Sequence, residues 1–284
     1  LLFASRGEYN SATFGPVIFD SYLEVYLKDN LNYYSSFSIE NGPQWSTESL
    51  LITDNKLYVA VNNAYEWGNY KGIVGVIDLS TMAYTEIELG ENGKNPINMM
   101  YRDNNIYTVN NKNWDGSSIS IINVNSSDIQ TMDLSDVSAG CGVSIIRDNK
   151  LNYQKSNETE LNILDLETLE PSGVEENLEY NYYGIASNPL NGYLYAAIAN
   201  FTSNSGVVIY DENNNQVNSF FADVATSKIV FDVRNENVSI SPENLDNKTV
   251  LNVFDVLGRS VDQENPISIE ILEDGACNKK MIIK

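Results

Sequence analysis

Across residues 1–234, apolar and polar positions alternate in short runs broken by Asp, Asn, Gly and Ser. A period of two with frequent turn residues predicts strands rather than helices. Pairs of strands are joined by one recurring turn. Asp54-Asn55-Lys56 precedes LYVAVNN, Asp103-Asn104-Asn105 precedes IYTVNN, Asp148-Asn149-Lys150 precedes LNYQK, and Asn188-Pro189-Leu190-Asn191-Gly192 precedes YLYAAIAN. These are hairpin turns. A third strand follows each pair and ends on an acid or amide: GIVGVID at Asp78, SISIIN at Asn123, ELNILD at Asp165 and GVVIYD at Asp211. Each then passes through a polar tetrad into a fourth strand.

The unit recurs about every 45 to 50 residues, the period of a four-stranded propeller blade. LLFAS (1–5) has the pattern of a second strand, GPVIFD (15–20) of a third and LNYYSSFSI (31–39) of a fourth, so the first unit lacks its opening strand. The segment KIVFDV (228–233) has the matching pattern and is expected to complete that blade, closing a ring and removing exposed edges. The expected fold is all-β: a β-propeller of about five four-stranded blades over 1–234, closed by this C-terminal strand, then a small Ig-like β-sandwich over 235–284. A sandwich or solenoid built from the same hairpins is the alternative, and it leaves 228–233 without a partner.

Charge narrows the partners. The 284 residues carry 39 acidic and 17 basic side chains, a formal charge of −22. Such a field repels phosphate backbones and anionic headgroups, which argues against nucleic acid as a partner and reads first as solubility. No stretch approaches the roughly 18 to 20 apolar residues that span a bilayer, so the chain is not expected to be membrane-spanning. It begins at Leu1 with no segment resembling an export signal, which is expected to have been removed or left out. Histidine is absent, which removes the usual general base, the usual zinc ligand and Ser-His or Cys-His nucleophiles. The two cysteines, Cys141 and Cys277, fall in different expected modules and are read as free thiols. No cofactor and no metal site is expected. Asp211, Asn213 and Asn215 have the first three spacings of a calcium loop but lack its Gly and its closing Glu. Glu175-Glu176 reads as solvated surface.

The repeats DNKLYVAVNN, GVIDLSTM, NGYLYAAIAN and GVVIYDENNNQ resemble those of YVTN-type surface propellers of Bacteroidota, across most of residues 1–234. The resemblance implies an exported binding protein, and one branch of that group captures cobalamin beside an outer-membrane transporter. The tail carries VSISPEN, VLNVFDVLGRSV (250–261) and ISIEILEDGACNKKMIIK (267–284), which resemble the type A sorting domain of the type IX secretion system. Phe254, Asp255, Leu257, Gly258 and Arg259 match its first motif. Leu272, Gly275 and the final MIIK ending at Lys284 match its closing strand. The tail is shorter than usual for that domain, and Ala276-Cys277 departs from the expected apolar-Tyr pair. The resemblance implies that residues 238–284 are read by the type IX outer-membrane translocon and its shuttle protein. The location it implies is secreted or cell-surface, outer-membrane associated.

The two faces of a propeller receive different loops. TDNK, RDNN, RDNK, LSTM, NSSD, LETL and ENNN, all on one face, contain no ring and read as scaffold. The opposite set holds Tyr9, Phe14, Tyr65, Trp67, Tyr70, Trp114 and Phe201, with Trp45, Tyr180, Tyr182 and Tyr183 between blades. Rings give large contact area at low entropic cost. Arg6, at the start of such a loop, is a candidate for an anionic group or a carboxylate. The expected ligand site is therefore Arg6, Tyr9, Trp45, Tyr65, Trp67, Trp114, Tyr182 and Tyr183. Its expected ligand is a glycan, a corrinoid or another surface protein, in a non-catalytic adhesion or binding protein. The alternatives are a structural or filament-associated cargo protein and, third, a carboxylate-based hydrolase or lyase using Glu8, Glu66 or Asp115.

Overall fold

The computed structural model describes residues 1–10, 12–13, 15–112, 116–134, 142–198 and 200–233, and three strands of the tail, 250–254, 267–272 and 277–281. The chain divides into two compact units, Leu1–Phe231 and Asp232–Lys284. The first unit is a five-bladed, all-β propeller. Blade one holds β1 (Leu2–Ser5), β4 (Ser21–Tyr26) and β5 (Tyr33–Ser38), with a minimal hairpin of β2 (Tyr9–Asn10) and β3 (Gly15–Pro16) between β1 and β4. Blade two is β6 (Ser46–Thr53), β7 (Lys56–Asn62), β8 (Ile73–Asp78) and β9 (Tyr84–Glu88). Blade three is β10 (Pro96–Arg102), β11 (Asn105–Asn110), β12 (Ser118–Asn123) and β13 (Ile129–Asp133). Blade four is β14 (Ser144–Arg147), β15 (Lys150–Gln154), β16 (Leu161–Asp165) and β17 (Pro171–Val174). Blade five is β18 (Tyr182–Ser187), β19 (Leu194–Ile198), β20 (Asn204–Tyr210) and β21 (Gln216–Val224). Blades two to five are antiparallel meanders of four strands in sequence order.

Strand alternation places alternate side chains on opposite faces of each blade, and the facing sides of consecutive blades pack together. Leu23, Val25 and Phe37 of blade one meet Leu57, Val59, Val61, Ile73 and Ile77 of blade two. Tyr58, Ala60, Val74 and Val76, on the other face of blade two, meet Met99, Ile106 and Ile122 of blade three. The same interleaving joins blade three to four and four to five. A fully buried Leu or Ile contributes about 1.5 to 3 kcal/mol, so these interblade layers are where the fold gains its stability.

Three of the hairpins between first and second strands have the predicted geometry. Asp54 and Asn55 have φ of 48° and 57°, Asp103 and Asn104 48° and 62°, Asp148 and Asn149 49° and 61°. Two successive left-handed residues make a type I′ turn, whose twist suits flanking strands and which Asp and Asn tolerate better than other non-glycine residues. The acid or amide closing each third strand caps the next turn. Asp78 Oδ1 accepts the Ser80 and Thr81 N–H groups at 2.8 and 3.0 Å. Asn123 does the same for Asn125 and Ser126, and Asp165 for Glu167 and Thr168. Asp211 does so for Asn213 and Asn215. The Asp211, Asn213, Asn215 spacing is thus an Asx turn. Backbone donation to the charged form holds the carboxyls of Asp78, Asp165 and Asp211 below their ordinary value.

Glu175 is a correction to its reading as solvated surface. It accepts from Asn152 Nδ2 (2.9 Å) and Asn214 Nδ2 (3.1 Å), while Asn214 Oδ1 accepts from Arg147. Asn214, with φ of 60° and nearly no exposure, thereby ties the last turn of blade five to blade four.

Residues 228–233 correct the expected closure. They form no strand and pair with neither edge of blade one, which keeps three strands. The Ala225 N–H donates to the Asn200 carbonyl (2.9 Å) and the Thr226 N–H to Ser205 Oγ (3.2 Å). The chain then runs along β18, where a Cβ on Gly184 would come within 2.7 Å of the Ser227 carbonyl carbon. Phe231 packs edge-on to Tyr195 at 5.0 Å. The segment is held to blade five by these contacts. Alternating apolar residues mark what can be a strand and say nothing about which edge accepts it.

In the second unit, β22 (Val250–Phe254), β23 (Ile267–Leu272) and β24 (Cys277–Met281) form a three-stranded antiparallel sheet with β23 central. Among the described residues no helix is long and apolar enough to cross a membrane.

Candidate functional site at the channel mouth

The inner strands β6, β10, β14 and β18 stand side by side around the propeller axis. With residues 227–229, they and the loops above them enclose a pocket of about 640 Å³. Its floor is apolar, from Ile97, Met99, Val143 and Ile185, and its polar walls are Glu48, Asn62, Asn98, Asn111 and Ser144. Tyr65, Trp67 and Tyr70 of the loop between β7 and β8 form one side of the rim, and Tyr183 of β18 the other.

The aromatic loop is held by amides. Asn63, almost wholly buried, donates from Nδ2 to the Asn69 carbonyl (2.8 Å) and accepts the Lys71 N–H (2.8 Å). Its own N–H donates to Asn95 Oδ1. Asn62 Oδ1 accepts the Ala64 N–H. Glu66 accepts from the Trp45 indole N–H with one oxygen and from Asn69 Nδ2 with the other. Gly68 supplies the left-handed turn, at φ +80°. Trp67 is left 87% exposed and Tyr65 47%. A large ring held in water on a fixed loop is ready to bind without first being ordered.

Glu48 projects into the mouth from β6. It is exposed to water, and partial loss of hydration beside the neighbouring protein raises its pKa; the Asn62 Nδ2 donation (3.3 Å) works in the opposite direction. Asn98 Nδ2 donates to the Gly142 carbonyl (3.1 Å), linking blades three and four at the floor. The Ser144 hydroxyl is shielded from water and has no hydrogen-bond partner.

Of the eight candidate ligand residues, Tyr65, Trp67 and Tyr183 come together at this mouth. Trp45 stands behind the loop as a half-buried support, bonded to Glu66 and packed on the core between blades one and two. Tyr182 is not a ligand residue. It is 1% exposed in the core between blades four and five, its hydroxyl 3.0 Å from that of Tyr210 and its pKa raised by burial. The pairing of β18 is irregular between Tyr182 and Gly184; Tyr182 packs between blades four and five, whereas Tyr183 lines the mouth. Arg6 is also corrected: it pairs with Glu24 at 3.1 Å and lies 4.0 Å over the Phe19 ring, so it organises blade one. Tyr9 contributes its backbone to β2. Trp114, Phe14, Cys141 and Asp115 lie outside the described residues. Of the tail residues, Phe254 ends β22, whereas Asp255, Leu257, Gly258, Arg259, Gly275 and Lys284 lie outside the described residues. Of the proposed catalytic acids, Glu66 has both oxygens engaged in the loop.

The polar walls were missed by sequence reasoning. Their signal is the amide closing each second strand, as in VNN at Asn62-Asn63 and at Asn110-Asn111. In blade four that position is Gln154, which donates to the Thr159 and Tyr180 carbonyls and accepts the Tyr182 N–H.

No protein-family model matches the sequence, and no curated protein matches it. Among solved structures, the chain is similar to one in "Crystal Structure of Mitotic Checkpoint Complex", at 12% identity and a TM-score of 0.49, over 92% of this chain and 68% of that one. It is also similar to Hsv2 of Kluyveromyces lactis, at 11% identity and a TM-score of 0.47, over 95% and 70%. The blade count rests on the strand pairing described above.

Proposed function

We propose that this chain is an exported cell-surface binding protein that takes a small ligand at the aromatic mouth of its propeller channel. The observation that carries this reading is the joining, in one concave site, of exposed rings on a hydrogen-bonded loop with a polar wall and an apolar floor. A pocket of about 640 Å³ is the size used for small molecules and favours them over the flat interface of a filament component. Glycans and corrinoids are the ligand classes to screen. Residues 238–284 act in this proposal as a type IX sorting module built as a small β-sandwich, an address recognised by the outer-membrane translocon and its shuttle protein. Support for it is the VLNVFDVLGRSV and MIIK motifs together with the strands β22 to β24 that carry parts of them.

A thermal-shift screen tests the binding reading. A ligand at 100 times its Kd stabilises by about 2.7 kcal/mol, which raises Tm by about 5 °C or more. Trp67→Ala is expected to abolish that shift while leaving the unliganded Tm unchanged. A shift that survives Trp67→Ala would place the ligand elsewhere. For the tail, residues 238–284 fused to a reporter in a type IX-competent host are expected to carry it to the cell surface; retention of the fusion in the periplasm would end that reading.

A further inference from the structure

We infer that the channel mouth selects an uncharged, hydroxyl-rich ring, that is a neutral saccharide, over anionic ligands. This rests on the proposed binding role and names its ligand class. The rim offers Trp67 and Tyr65 as water-facing rings, and the C–H face of a pyranose is an apolar surface that stacks on such rings while its hydroxyls stay free for hydrogen bonds. Below the rim the polar wall is built of Asn62, Asn98, Asn111 and Ser144, groups that both donate and accept and so match hydroxyls, which do the same.

Charge points the same way. Among the described residues, the charged side chains of the lining are Glu48 and Lys228, one of each sign. Among the described lining residues an anionic ligand would meet one ammonium and one carboxylate, inside a protein whose formal charge is −22. A carboxylate in such a wall accepts two neighbouring hydroxyls through its two oxygens.

Ser144 supplies an independent observation. Its hydroxyl is buried in the wall of the pocket without a partner, although buried polar groups are nearly always paired. A χ1 change redirects a serine hydroxyl among its staggered positions, so an incoming hydroxyl group gives this orphan the bond it lacks.

Isothermal titration of the full chain with neutral oligosaccharides (gluco-, xylo- and manno-configured), oligogalacturonate and cyanocobalamin tests the inference. At least one neutral oligosaccharide is expected to bind, and a galacturonate oligomer of equal length at least tenfold more weakly. Trp67→Ala is expected to weaken neutral binding at least tenfold. Ser144→Ala should weaken it about threefold while retaining the Tm, since it removes an unbonded hydroxyl. Binding of galacturonate or cyanocobalamin without any neutral sugar, lost in Trp67→Ala, would overturn the ligand class and leave the binding role standing. Absence of binding by every probe, or neutral binding that ignores Trp67→Ala, would overturn both.

Discussion

The two faces of the propeller are built on opposite rules. On the turn face the same device is repeated: a left-handed Asp-Asn pair after the first strand and an Asx cap after the third. Each turn caps its own backbone, and side chains such as Asn55, Asn149 and Asn214 add ties to a neighbouring turn or blade. On the loop face the described loops are finished differently, and some of their ties reach far along the chain. Asn63 fixes one loop through Asn69, Lys71 and Asn95. Asn110 Nδ2 reaches Ser118 and Ser120, and Gln154 bonds the first residue of blade five. A local device can be copied from blade to blade because its partners lie within a few residues. A binding surface must break that uniformity, and it does so with amides, which orient a loop without adding charge.

Four substitutions set the two faces against each other. The largest effect is expected for Tyr182→Ala, which empties a core site between blades and should cost about 3 kcal/mol or more in denaturant unfolding. A loss well under that would return Tyr182 to the surface and to the ligand site. Gln154→Leu comes next, because it leaves the Tyr182 N–H and the Thr159 and Tyr180 carbonyls without their partner. The expected loss is about 1 to 3 kcal/mol. Equal stability of the variant would mean that the loop face is no more tightly tied than the turn face.

On the turn face, Asn104→Ala forces a Cβ-bearing residue without a local hydrogen-bonding side chain into φ near 62°, at a cost of about 1 to 2 kcal/mol, whereas Asn104→Gly should cost less. Similar losses in both variants would show that the left-handed turn does not set the stability of this hairpin. The smallest effect concerns pH. Asp78, Asp165 and Asp211 are held below the ordinary carboxyl value, so the unfolded chain takes up their protons first. Their stabilisation is present above the unfolded value and fades as the pH falls through the lower, folded one. The triple Asp→Asn variant, which keeps the Asx oxygens, should therefore show a flatter fall of Tm than the parent as the pH drops below the ordinary carboxyl value. Parallel acid limbs would remove the charge from the account of these caps.

Much of the fold was legible because it is local. The DN turns, the terminal acids of the third strands and the spacing of the repeat each depend on residues a few positions apart, and five blades follow from counting them. The placing of Tyr65 and Trp67 on an exposed loop was legible for the same reason, since loop order along a meander fixes which end of the blade each loop leaves. What failed were the statements that needed a partner. Tyr182 and Tyr183 are adjacent and chemically identical, and only the packing of β18 against blade four decides which is core. Arg6 has the composition of a ligand-binding residue until Glu24 and Phe19, far along the chain, are brought beside it.

The sequence by itself determined the hairpin turns and strands of blades two to five, because hydrogen-bonding reach and the period of a strand are short-range properties. In blade one the third strand is Ser21–Tyr26 and not the GPVIFD segment. The tertiary structure alone decided that residues 227–229 line the channel while 228–233 join no sheet, that Glu48, Asn98 and Ser144 line one pocket, and that Tyr65, Trp67 and Tyr183 meet at its mouth. Those outcomes depend on competition among distant surfaces for the same buried space, and that competition is resolved only when all five blades are packed.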